Sequence, residues 1–149
     1  MIKYTDILEA INTKITEAFP DIEIQSKDIT EGFARPSFFV EFSRISASEM
    51  MNFYKNRVIT VIIYYFPSSR YKNRIEILEK QDKLEDIFLD MLQVNESFVI
   101  TINETETNMV DGGLQFSFDL ETVEQLERET PETPEPLIEE LDMEIRKEG

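Results

Sequence analysis

The chain has 149 residues, 41% of them hydrophobic and 11% aromatic, enough to bury one core and to exclude a wholly disordered protein. With 15 basic and 31 acidic residues its net charge is −16, which disfavours general binding to nucleic-acid phosphates or anionic lipid. It contains neither His nor Cys, so Ser-His-Asp and Cys-His triads, zinc sites built on those residues, disulfides and thiol chemistry are excluded together.

In chain order, Ile7, Leu8, Ile11, Ile15, Ala18 and Phe19 recur at helical spacing, with Thr5 or Asp6 as the expected N-cap and Pro20 as the stop. The N-terminal residues 1–9 lack the uninterrupted apolar run of a signal peptide. A short strand is expected over Ile22–Gln25. After Gly32 and Pro36, Phe38, Val40 and Phe42 alternate with Phe39, Glu41 and Ser43, a strand with one strongly apolar face. Arg57–Phe66 is apolar on both faces, with Val58, Ile62, Tyr64 and Phe66 on one and Ile59, Val61, Ile63 and Tyr65 on the other. Such a strand is expected at the centre of a sheet, covered on both sides by helix or by another subunit. It is far shorter than the ~20 residues of a membrane span, so a soluble, intracellular product is expected.

Pro67-Ser68-Ser69 ends that strand. Ile75, Ile77, Leu78, Leu84, Ile87, Phe88, Met91 and Leu92 predict a longer amphipathic helix over roughly Arg74–Leu92. Strands are predicted at Phe98–Thr105 and Gly113–Leu120, joined around Asp111-Gly112-Gly113, where glycine supplies the positive φ of a hairpin turn. Three prolines (131, 134 and 136) read as an extended linker. Beyond them Leu137, Ile138, Leu141 and Ile145 put an apolar stripe on a short helix, which should fold only by docking. The fold class is therefore α+β: a mostly antiparallel sheet of four to five strands flanked by two main helices, in the order α-β-β-β-α-β-β. Residues 1–126 are expected to form the domain, and 127–149 an acidic linker with a short C-terminal helix.

Little in the chain suggests chemistry. Four glycines cannot write a phosphate loop or a dinucleotide fingerprint. Glu104, Glu106 and Asp111 cluster around a hairpin but lack the register of a calcium loop, and read as a solvated turn. No cofactor or metal is expected. Two features point instead to contacts. Between Met50 and Ile75 there is no acidic residue, while Lys55, Arg57, Arg70, Lys72 and Arg74 all fall there, bracketing the central strand. They read as solubilising flanks of a very apolar strand or, functionally, as a phosphate contact or a contact between copies of the chain; of the two functional readings the contact between copies is preferred, because the rest of the molecule repels DNA. The second feature is the segment Ser46–Asn56 between two strands, where Met50, Met51, Phe53 and Tyr54 are apolar in what should be a hairpin tip. They either fold back over the core or protrude toward a protein partner.

Three stretches together resemble a known family. Residues 30–42, Thr-Glu-Gly-Phe-Ala-Arg-Pro-Ser-Phe-Phe-Val-Glu-Phe, resemble its strand-entry motif. Arg57–Ser68, with Tyr-Tyr-Phe-Pro-Ser at its end, resembles its central strand, and 107–118, Thr-Asn-Met-Val-Asp-Gly-Gly-Leu-Gln-Phe-Ser-Phe, its closing hairpin. The family is the small tail terminator proteins of bacteriophages, found also in defective prophages and phage-tail-like bacteriocin clusters. The likeness spans roughly residues 4–125; the tail from Glu127 onward is unmatched. What it implies is assembly without catalysis: a ring, typically of six copies, on the head-proximal end of the tail tube. That ring stops tube polymerisation and presents a surface for the neck, or for a cap in headless particles. Implied partners are further copies of the chain, the tail tube protein, and sheath and neck or collar proteins, with no specific nucleic acid and no membrane. The implied setting is the bacterial cytoplasm during assembly and then the virion or phage-tail-like particle, with a contractile particle favoured. The alternatives are another neck or connector protein, or an acidic DNA-mimic inhibitor.

Overall fold

A computed structural model describes residues 1–25, 35–69, 71–110 and 112–126. The expected linker and helix over 127–149, the first part of the strand-entry motif, Arg70 and Asp111 lie outside the described residues. The elements run α1 (Tyr4–Ala18), β1 (Glu23–Gln25), β2 (Ser37–Met50), β3 (Tyr54–Phe66), α2 (Arg74–Phe88), β4 (Asp90–Asn95), β5 (Phe98–Ile102), β6 (Thr105–Val110) and β7 (Gly113–Gln125). A mixed five-stranded sheet has the order β1-β2-β3-β7-β6, and β4 and β5 form a separate hairpin. The α+β class holds. Among the described strands only β1 runs parallel to its neighbour, β2.

β3 is central, as its apolar run demands, but its two faces differ. Ile59, Val61, Ile63 and Tyr65 are buried, together with Leu114, Phe116, Phe118 and Leu120 of β7 and Phe38 of β2. Ile7, Ile11 and Ile15 of α1 and Ile77, Leu84 and Phe88 of α2 complete the same core, so both helices cover one face of the sheet. Rings knit it together: Phe38 lies 5.0 Å from Phe19 and 4.9 Å from Tyr65, and Phe88 lies 5.2 Å from Phe118. The other face of β3 (Val58, Thr60, Ile62, Tyr64, Phe66) is only half buried, and no described helix covers it. The expectation that both faces are covered is thus corrected for the protomer.

Three boundaries also differ from expectation. The N-cap of α1 is Lys3 rather than Thr5 or Asp6. Asp6 sits in the first turn and accepts the Lys3 backbone N–H at 2.9 Å, satisfying a donor and complementing the helix dipole. Helix α2 stops at Phe88, before Leu92. Lys14 Nζ, from α1, donates to the Ile87 carbonyl and to the Met91 carbonyl at 3.2 Å. A cation at a helix C-terminus is stabilising. Asp90 then takes φ 108° and turns the chain into β4, which inserts Leu92 into the core. Finally, the expected strand over 98–105 is two strands, β5 and β6, the second pairing with β7 through Val110↔Gly113. The glycine turn is where it was expected: Gly112 has φ 78°, and a Cβ on Gly113 would lie 2.9 Å from the Tyr65 carbonyl oxygen.

Two phenol–carboxylate pairs, Tyr65–Glu76 on the helix-covered face and Tyr64–Glu41 on the other, brace this end of the sheet. Tyr65 Oη donates to Glu76 Oε2, and Glu76 also accepts from the Ser68 backbone N–H at 2.9 Å and from its hydroxyl. Burial raises the Glu76 pKa, but these hydrogen bonds and the Lys80 charge outweigh it and hold the carboxyl below its ordinary value. Burial first, and then Glu76, raise the Tyr65 pKa; burial and the bond to Glu41 push Tyr64 up to about 12. An unfolded chain ionises tyrosine near pH ~10. Stability from the two phenols is therefore complete below that pH and falls as pH rises from there through about 12. We expect urea midpoints to decline over that range, and Tyr65→Phe to make the decline shallower.

Candidate functional site

β1 pairs only with residues 37–39 of β2, and β6 only with residues 113–118 of β7. Beyond them β2, β3 and β7 continue alone as a three-stranded arm, in register from Ile45↔Ile59↔Leu120 to Met50↔Tyr54↔Gln125. A register shift between Phe42 and Arg44 inverts which β2 side chains face the helices. Met50, Tyr54 and Val123 consequently share the face turned away from the helices.

The sequence reading placed Ser46–Asn56 between two strands; the strands instead run through it, and only Met51, Asn52 and Phe53 form the turn. Met51 and Asn52 have φ 55° and 65°. Asn suits the left-handed region, whereas Met does not, since its side chain crowds the backbone there. Met51 is nevertheless 75% exposed and Phe53 65% exposed, with Met50 and Tyr54 at about 40%. The four side chains thus protrude from the protomer and take no part in its core. The turn is held firmly: the Leu126 N–H donates to the Phe53 carbonyl at 2.7 Å, extending β7 along the tip.

The basic residues are not brought together. Arg57, counted as a candidate contact, is 2% exposed and is used within the chain, which corrects its expected role as a surface charge. Its Nη2 donates to Glu124 Oε1 at 2.5 Å and to the Ile2 carbonyl at 2.8 Å. Its guanidinium lies 4.9 Å from the Tyr4 ring centroid. Glu124 in turn accepts the Ile2 N–H at 3.0 Å. Arginine thereby clamps the base of the arm to the start of α1. Lys55 is half buried, in register between Glu49 and Glu124. Lys72 and Arg74 are exposed at the start of α2, at the opposite end of the sheet.

Sequence reasoning missed two surfaces. On the uncovered face Phe39, Tyr64 and Phe66 form a ladder of rings, 5.9 Å and 6.3 Å apart. Beside it Glu104, Glu106, Asp119 and Glu121 line a groove of about 560 Å³. Among the described residues no acidic cluster is arranged to hold a metal ion. The second surface lies on α2, where Ile75 and Leu78 are 69% and 43% exposed, although both were counted in its core stripe. Their angular distance from Ile77, Leu84 and Phe88 at 100° per residue was the available signal.

Comparison with known proteins gives one clear result. A family model described as "Phage tail terminator protein" matches residues 6–132. No curated protein matches the chain.

Removing Arg57 should unfold rather than merely disarm the protein. Arg57→Met leaves Glu124 partly buried without its cation, which costs about 3 kcal/mol or more. Urea denaturation should show that loss, and Arg57→Met with Glu124→Leu should recover most of it.

Proposed function

This chain belongs to the phage tail terminator family, and we propose that its copies close into a ring on the head-proximal end of a tail tube. There the ring ends tube polymerisation and presents a neck or cap interface. Tail terminators are structural proteins, so the chain is not an enzyme, and the family implies contact with tail tube components. The number of copies we propose, six, and the contractile or bacteriocin-like setting follow the family resemblance.

The observation that carries the ring reading is the arm. A strained, exposed Met51 beside Phe53 and Tyr54 is costly in a lone protomer, and its cost is offset if the tip enters a neighbour. Head-to-tail contacts join different patches of identical copies and close when the rotation permits. Two aromatics bury about 150–250 Å² each, while a durable contact needs roughly 1,200–2,000 Å². The tip is therefore an anchor, and the half-buried sheet face beside it supplies the remaining area. Lys72 and Arg74 face acidic surface on the next copy.

Tests separate the fold from the assembly. Met51→Gly relieves the left-handed strain while removing the side chain, so the urea midpoint should stay or rise while ring size, by light scattering, is lost. An intact ring in that variant would overturn the anchoring role. Association should weaken as salt rises past 0.15 M, where charges are screened within about 8 Å. Added to polymerising tube protein, the wild-type chain should limit tube length in electron micrographs; unlimited tubes would overturn the capping reading.

A further inference from the structure

A groove of about 620 Å³ lies between the first turns of α2 and the edge strand β6, lined by Tyr71, Arg74, Leu78, Met109 and Val110 among others. These apolar side chains are exposed, Tyr71 at 87% and Met109 at 55%, and Ile75 beside them at 69%. Arg74 lines the groove, Lys72 lies two residues before it in the chain, and neither makes an ion pair with any described residue. Arg74 at the first helical position opposes the helix dipole while Glu76 in the same turn complements it, so helix stability does not account for the two exposed cations. An acidic, apolar occupant would.

The chain itself contains such a segment. Residues 127–149 hold nine acidic and three basic residues, a net of 3 − 9 = −6, and carry the stripe Leu137, Ile138, Leu141 and Ile145. Prolines at 131, 134 and 136 cannot supply the ladder N–H groups that pairing with the β6 edge would need. The occupant is thus the stripe and not a strand. The arm tip is a poorer seat, because Glu49 and Glu124 flank its Lys55 in register.

Reach favours a second copy. β7 starts beside the groove at Gly113 and ends at Gln125, so Leu126 lies about 40 Å from it along the strand. The stretch from Leu126 to Leu137 spans about 34 Å as a proline-rich linker and about 40 Å at full stretch, so a seat on its own copy would hold it taut along the whole sheet, an ordering cost that a seat on a second copy avoids. We propose that the acidic stripe of one copy seats in the α2–β6 groove of a second copy, its carboxylates against Lys72 and Arg74. The inference rests on the association of copies proposed above and adds a tail exchange to it.

The chain has no native cysteine, which makes the test clean. Full-length Leu78→Cys and Leu141→Cys proteins are mixed and oxidised, with Ser46→Cys replacing Leu78→Cys as the control. Interchain disulfides several-fold above the control are expected, falling when Arg74→Glu is added to the groove chain. Links no better than the control, or links formed only within a doubly substituted chain at high dilution, overturn the exchange. Light scattering on the same samples separates the two readings. Rings without links sink the tail exchange alone; links without closed rings sink the ring; monomers without links sink both.

Discussion

The pleat of β3 governs the rest of this molecule. Its odd-numbered residues from Ile59 to Tyr65 are sealed beneath α1, α2 and the β4–β5 hairpin, and this contact supplies most of the apolar burial that holds the domain together. Its even-numbered residues are equally hydrophobic but meet no described helix. Side chains alternate strictly along a strand, so the two faces must be solved separately. The fold solves one of them and leaves the second to a row of rings, Phe39 tilted against Tyr64 and Tyr64 parallel to Phe66. A domain built this way has its own closed core yet carries a surface suited to a neighbour.

The arm extends the same logic. Three strands leave the helical cover and continue toward an apolar tip, where burial no longer supports them. What secures the arm is a buried charge: Arg57 on the core face of β3, held by Glu124, the Ile2 carbonyl and the Tyr4 ring. A buried ion pair often adds little net stability, but it fixes geometry. Here it sets the angle between the arm and α1, and so the direction in which Met51 and Phe53 are presented. Backbone strain at Met51 belongs to the same arrangement, because a turn chosen for stability alone would place Gly or Asn there.

Charge is sorted along the sheet. Carboxylates gather on the uncovered face and at the arm, while Lys72 and Arg74 stand exposed at the far end, next to an apolar groove. A protomer with opposite character at its two ends joins head to tail more readily than face to face. This polarity suits a member of the tail terminator family, whose members are structural parts of an assembly.

By itself the sequence determined a good deal. Periodicities of 3.6 and 2 marked α1, the core of α2, and strands β2, β3 and β7; Gly112 and Gly113 marked the last hairpin; the absence of His and Cys removed most catalytic chemistry. The apolar tip at Met50–Tyr54 was legible because solvated turns rarely hold such residues. Only the tertiary structure decided which face of β3 is covered, since both are equally apolar and local pattern cannot rank them. It alone ended α2 at Phe88, because the cation that caps it, Lys14, lies 73 residues from Ile87. It also withdrew Arg57 from the surface: a guanidinium reads as solvated until a carboxylate 67 residues away in sequence is folded against it. Local pattern reports what a segment prefers, whereas desolvation and pairing depend on partners that only folding brings within reach.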